Sequence, residues 1–197
     1  PCSITQPRRV PLKPPSAPPS SSDQHTPKPL NRLAVYLLMA LGTLGQLALN
    51  IVLPSLPAIG SELHILPGGE RLVLSVFLIG FAGGQLLVGP LSDRFGRRCF
   101  LIPGLILYAA LGAIAAFANS IEWLLIARLL QGLGAAAGFV TARAIARDSF
   151  QGAALVRIFG LLTITMGIMP GIAPIIGGLL QDSIGWQANM LVTTLYG

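Results

Sequence analysis

Few residues of this 197-residue chain could do chemistry, and the most telling of them is Arg128. It is the only ionisable residue well inside an apolar run, and Gln131 and Gly132 follow it three and four residues on. On a helix that spacing sets all three on one face, with Ala135 and Gly138 continuing the stripe. A charge at such a depth costs about 2.5–3.5 kcal/mol on insertion scales, so a chain that keeps one turns it toward a water-filled cavity. The competing reading is an arginine snorkelling to the surface along its own stem. A snorkelling residue has no need of a Gln on its stripe. In an earlier apolar run, Gln46 and Asn50 add amides that bond a solute but cannot titrate near neutral pH. The chemistry expected is recognition and charge relay in a cavity lined by Asn50, Gln46, Arg128 and Gln131.

Other chemistries fail on spacing. His25 and His64 lie in separate loops, and nothing has the spacing of a metal site. Cys2 and Cys99 both fall on the same expected, reducing side, so no disulfide is expected. The run Gly132-Leu-Gly134-Ala-Ala-Ala-Gly138 resembles a dinucleotide fingerprint, but no strand precedes it. No phosphate-binding Gly-Lys-Ser/Thr loop occurs, and no cofactor is expected. The net charge of +6 is not laid out as a stripe with aromatic partners, which argues against nucleic acid.

The elements that must position these residues are set by composition. The chain is 53% hydrophobic and 10% charged, with a mean hydropathy of +0.72. A soluble domain carries about 25% charged residues, so the expected surroundings are a lipid bilayer. Apolar runs occupy residues 33–53, 72–88, 100–118, 123–142 and 158–180, and a sixth begins near Trp186. At 1.5 Å per residue the first reaches roughly 31 Å, one hydrocarbon thickness. Pro54 and Pro57 are expected to end it. Residues 1–32 form a Pro/Ser-rich tail too poor in apolar residues to fold, and residues 33–197 a transmembrane helical bundle. The chain begins at Pro1 without an initiator Met and ends inside an apolar run, so a piece of a longer protein is expected.

Charge sets the direction. Eleven of the thirteen Lys and Arg residues lie in the tail and in the segments after the second and fourth runs. Arg71 alone occupies the alternate loops, so the tail is expected in the cytoplasm. Tyr36, Phe100, Trp123 and Trp186 sit near run ends, where aromatic rings favour the interface. Between the second and third runs stands Gly89-Pro-Leu-Ser-Asp93-Arg94-Phe-Gly96-Arg97-Arg98-Cys-Phe-Leu. Pro90 and Gly96 are expected to stop helices there, with Asp93 as counter-charge to the arginines. In the fifth run Pro170 and Pro174 lie one turn apart among Gly171, Gly177 and Gly178, and each removes a backbone hydrogen bond. A kinked, glycine-thinned helix of this kind suits a rocking element.

Residues 89–101 resemble the Gly-x-Leu-Ala-Asp-Arg-x-Gly-Arg-Arg/Lys signature between the second and third helices of the major facilitator superfamily. Arg128-x-x-Gln131-Gly132-x-Gly134-Ala135-Ala136 resembles its fourth-helix motif. Ala173-Pro174-x-x-Gly177-Gly178 is similar to the fifth-helix antiporter motif, with Ala where Gly is usual. Leu53-Pro54-Ser55-Leu56-Pro57 and Gly185-Trp186-Gln187-Ala188 resemble the bicyclomycin/chloramphenicol-resistance branch of drug:proton antiporters.

The resemblance implies an all-α transmembrane fold: the N-terminal six-helix bundle of a twelve-helix transporter, with five complete spans and the start of a sixth. It implies multidrug efflux by proton-coupled alternating access in the bacterial inner membrane. The partners implied are a small-molecule substrate, protons and a C-terminal half. Gly89, Asp93, Arg94, Gly96, Arg97 and Arg98 would latch the two halves; Pro170, Pro174, Gly177 and Gly178 would form the antiporter-motif helix. One departure stands out: that branch carries an acid where this chain has Asn50. A facilitator or uptake transporter without proton coupling fits that amide. A non-transporting membrane fragment is the reading from a different class.

Overall fold

The computed structural model describes residues 32–197, all of its regular structure helical. The expected disordered tail lies, but for Arg32, outside the described residues. In order come α1 (Arg32–Asn50), α2 (Leu56–Glu62), α3 (Leu72–Phe95), α4 (Arg97–Ala116), α5 (Ile121–Ser149), α6 (Gly152–Ser183) and α7 (Trp186–Tyr196), with 3₁₀ turns before α2 and α3. Five stretches are long and apolar enough to cross a membrane: Arg32–Glu62, Gly69–Phe95, Arg97–Ala116, Ile121–Ser149 and Gly152–Ser183.

α3, α5 and α6 overrun the apolar runs that announce them. Hydropathy marks the part of a helix facing hydrocarbon, whereas backbone hydrogen bonds propagate until a residue interrupts them. The 29 residues of α5 reach about 44 Å, well beyond a core of about 30 Å. Arg143, Arg147 and Asp148, expected in a loop, therefore ride on the last turns of α5, and Arg157 lies in the second turn of α6. Pro90 does not stop a helix, because α3 carries it internally and runs on to Phe95. The break comes at Gly96, whose φ of 99° few other residues adopt. α6 is likewise continuous through Pro170 and Pro174.

α1 ends at Asn50, three residues before the edge of its apolar run. Pro54 has no N–H to offer the carbonyl four residues back, and that carbonyl belongs to Asn50. The chain turns through Ile51 and Val52 and restarts with Pro54 and Pro57 near the beginnings of the next two helical segments. Proline is favoured there because the missing N–H has no intrahelical partner anyway.

α5 is the axis of the bundle, packed on α3, α4 and α1, while α6 lies on α1 and α7 on α4. Lipid is as apolar as leucine, so close packing rather than hydrophobicity holds such helices together, and small residues permit it. Gly80 and Gly132 bring the α3 and α5 backbones against one another: a methyl at Gly80 would meet the Leu129 carbonyl, and one at Gly132 the Phe77 carbonyl. Gly104 does the same for α4 against Ala137, and Gly177 for α6 against Ile51. Aromatic rings fill the α1–α3–α5 junction, with Phe77 and Phe81 stacked at 6.2 Å and Phe139 edge-on to Phe81 at 5.4 Å.

Candidate functional site

The consequence of the early end of α1 is felt at Arg128. The Ile51 amide still reaches the Leu47 carbonyl at 3.0 Å, and the next carbonyl, Ala48, lies beyond the helical ladder. Arg128 Nη2 donates to that carbonyl at 2.9 Å. Carbonyls at a helix C-terminus lack backbone partners and carry partial negative charge, so a cation is favoured there. Nη1 donates to Gln131 Oε1 at 2.9 Å, one turn along α5, and the guanidinium lies 4.4 Å from the Phe77 ring centroid. No carboxylate touches it among the described residues, and its Nε finds no acceptor there.

Arg128 has no exposed surface. It does not border an open vestibule, as its place in an apolar run suggested. A helix terminus, an amide and a ring supply inside the bundle the partners that water would have provided. The network continues outward: Gln131 Nε2 donates to Thr193 Oγ1 at 3.1 Å, and Thr193 donates to the Met190 carbonyl at 2.7 Å. Nearby, the Tyr108 hydroxyl donates to the Leu44 carbonyl at 3.3 Å. A single buried cation thus ties α5 to α1 and, through one glutamine, to α7.

Asn50 and Gln46 form a separate pair. Asn50 Nδ2 donates to the Gln46 carbonyl at 2.7 Å and to Gln46 Oε1 at 3.3 Å. No hydrogen bond joins this pair to Arg128 among the described residues. Asn50 is buried and Gln46 half-buried, so the four polar residues divide into an enclosed pair on α5 and a pair one turn apart on α1.

At the arginine-rich end, Arg97 holds two acids from different helices. Its Nη1 lies 2.9 Å from Asp93 Oδ1 on α3, and its Nε donates to Asp148 Oδ2 on α5 at 2.9 Å. Beside them is a cavity of about 270 Å³ lined by Gln85, Gly89, Asp93, Arg97, Arg143 and Arg147, among others. A methyl at Gly89 would meet nothing within 4 Å. Arg94 and Arg98 form no ion pair with this cluster among the described residues, Arg94 lying 5.5 Å from the Phe95 ring and Arg98 being exposed. The six residues of the expected latch are therefore not one contact network: Asp93 and Arg97 are joined, Gly89 lines the cavity, and Arg94 and Arg98 flank the Gly96 turn. Both acids are more than half exposed, and pairs of that kind contribute about 0–1 kcal/mol. Arg97→Gln is expected to lower stability by less than about 1 kcal/mol, and less at high salt. Thermal unfolding at low and high salt measures it, and a loss of several kcal/mol would make the triad a structural clamp.

On α6, Gly177 seats the helix on the Ile51 backbone, and Asn189 Nδ2 donates to the Gly177 carbonyl at 3.0 Å and to Ser55 Oγ at 2.7 Å. Pro170 is exposed, while Pro174 and Gly178 are half-buried. Close by, Glu62 accepts from Trp186 Nε1 at 2.6 Å and from Gln187 Nε2 at 3.1 Å. Two stretches far apart in the chain, around Pro54 and around Trp186, thus meet at one end of the bundle, through contacts 134 and 124 residues apart. Asp148, Thr193, Tyr108 and Asn189 were not singled out by sequence. Asp148 alone had a signal, as an acid one residue from Arg147 and matching Asp93 in its setting among arginines.

The sequence profile of the Major Facilitator Superfamily matches residues 38–197. The chain is 40% identical over 176 residues to the MFS-type transporter YdgK of Bacillus subtilis, covering 88% of this chain and 44% of that protein. It is 32% identical to Multidrug resistance protein D of Escherichia coli, over 80% of this chain and 40% of the relative. With a chloramphenicol resistance protein of Pseudomonas aeruginosa it shares 34% identity, over 78% of this chain and 37% of the relative. The chain therefore spans about two fifths of the length of these relatives.

Proposed function

This chain belongs to the Major Facilitator Superfamily, and we propose that it is the N-terminal bundle of a transporter that exports small drug-like or amphipathic compounds by proton-coupled alternating access. In this proposal the five membrane-length helices lie in the bacterial inner membrane with the N-terminus in the cytoplasm, an orientation supported by the gathering of basic residues at one end. The names of the drug-resistance relatives support the substrate class.

The observation that carries the proposal is the buried, carboxylate-free guanidinium of Arg128. An arginine keeps its charge at any working pH, so it is a fixed cation and not the proton carrier. It sets a positive potential in the middle of the bundle and lowers the cost of a nearby anion. An acid supplied by a second bundle would be held ionised by that field, and its protonation would release it. Coupling is then the protonation and release of one carboxylate whose ionised form is favoured by the field of Arg128 from inside the bundle. Arg97 would report the outcome at the basic end, because it joins α3 to α5, the helix that carries Arg128.

A second reading, transport without protons, is favoured by Asn50, which cannot titrate. The two readings separate in everted vesicles of the full-length protein when a dye or antibiotic panel is added outside. Substrate-driven proton release supports the first; uptake indifferent to a pH gradient supports the second. Asn50→Asp places a titratable group on α1, two residues past the carbonyl that Arg128 holds. The expected outcome is a new limb in the pH profile of transport. An unchanged profile would remove Asn50 from the mechanism.

A further inference from the structure

α3 and α4 touch each other little beyond the Gly96 turn and are joined chiefly through α5 beneath them. Between them runs an apolar groove of about 470 Å³. Its lining includes the buried glycines Gly84, Gly104 and Gly134 together with Leu133 and Ala137 of α5; Leu87 and Leu91 stand exposed at its side, and Cys99 lies near the turn. From Gly84 to Leu91 the groove follows about 10 Å of helix axis. Its volume is within the roughly 300–1,000 Å³ of sites that hold small molecules.

Just beyond the groove lining in sequence, at the turn where the helices meet, come two exposed arginines. Arg94 continues the Leu87–Leu91 stripe of α3, three residues beyond Leu91, and Arg98 adjoins Cys99 on α4. Arg97 between them is occupied by Asp93 and Asp148. Arg94 lies against the Phe95 ring, and neither Arg94 nor Arg98 meets a carboxylate among the described residues. An apolar trough followed along its two helices by two guanidinium groups that meet no carboxylate among the described residues has the layout of one amphiphile: an apolar tail with an anionic head.

We infer that the α3–α4 groove binds an anionic phospholipid, with the upper part of one acyl chain lying over the three glycines and the phosphate held by Arg94 and Arg98. Basic pockets between membrane helices recognise anionic headgroups, since guanidinium bonds phosphate oxygens in pairs. A zwitterionic lipid offers the same phosphate but brings a cation that the two arginines repel. The inference rests on the chain lying in a bilayer and not on what it transports.

Cys99 is exposed and lines the groove, so it reports occupancy. The experiment uses the full-length protein with every other cysteine replaced by serine, in nanodiscs of phosphatidylcholine alone or mixed with phosphatidylglycerol of the same chain length. Alkylation of Cys99 by an uncharged maleimide is timed, so that surface potential does not alter reagent concentration. The expected result is a rate roughly tenfold slower with phosphatidylglycerol, equivalent to about 1.4 kcal/mol, and recovery of the fast rate in Arg94→Gln/Arg98→Gln. Thermal unfolding verifies that this variant is folded. Equal rates in the two lipids would overturn the inference, as would slowing that survives in the double variant. Protection by a hydrophobic antibiotic in phosphatidylcholine, with none from phosphatidylglycerol, would assign the groove to solutes instead.

Discussion

Arg128→Met combined with Gln131→Leu is expected to leave a bundle that unfolds close to the wild-type temperature but no longer transports. Arg128→Met alone removes the donors of two buried acceptors, Gln131 Oε1 and the Ala48 carbonyl. Each orphaned acceptor costs about 1–3 kcal/mol in a buried site, and inside membranes the measured average is nearer 0.6 kcal/mol. Against this, burial of a guanidinium without a counter-ion carries a penalty of several kcal/mol, which the methionine relieves. The single variant should lose about 2 kcal/mol or less. Gln131→Leu removes one of the orphans, and Thr193 keeps its bond to the Met190 carbonyl, so the double variant should recover to within about 1 kcal/mol. Transport should fall at least tenfold in both, on the order of 1.4 kcal/mol or more in the activation barrier. Unfolding of the purified full-length protein and vesicle efflux read the two quantities separately. Lost stability in the double variant would make Arg128 a scaffold residue. Intact efflux would remove it from the mechanism.

Gly132→Val should give the largest loss of stability. The new side chain would meet the Phe77 carbonyl and the Phe81 amide on α3, where Gly80 already places its backbone against the Leu129 carbonyl. Backbone cannot step aside as a side-chain tip can, so the two helices must separate. Overpacking costs about 1–3 kcal/mol, and a backbone clash at the axis of the bundle belongs at the top of that range, about 3 kcal/mol. The separation also carries the Phe77 ring away from Arg128, and transport should fall with stability. Gly83 is the control. It lies one turn from Gly80, but a methyl there meets nothing within 4 Å, and Gly83→Val should change stability by less than about 0.5 kcal/mol. Matching unfolding temperatures for the two variants would show that α3 and α5 do not pack as described.

The difference between Gly83 and Gly132 shows where sequence stops. Both glycines lie in glycine-rich stretches of apolar runs, and nothing local tells the open one from the clamped one. What the sequence determined by itself is what depends on near neighbours in the chain. Hydropathy located five membrane-length helices, the spread of arginines marked one end of the bundle, and the spacing of Arg128 and Gln131 placed both on one face of α5. Pro54 and Pro57 marked the end of the first run, although α1 itself stops three residues earlier, at Asn50. The tertiary structure alone decided what those features meet. It set the Arg128 charge on the free carbonyl at the end of α1, shut away from water, and kept it apart from Asn50 and Gln46. It brought Asp148 to Arg97 across fifty-one residues and Asn189 to Ser55 across 134. Burial and pairing are properties of two surfaces at once, and a chain read in one dimension shows only one of them.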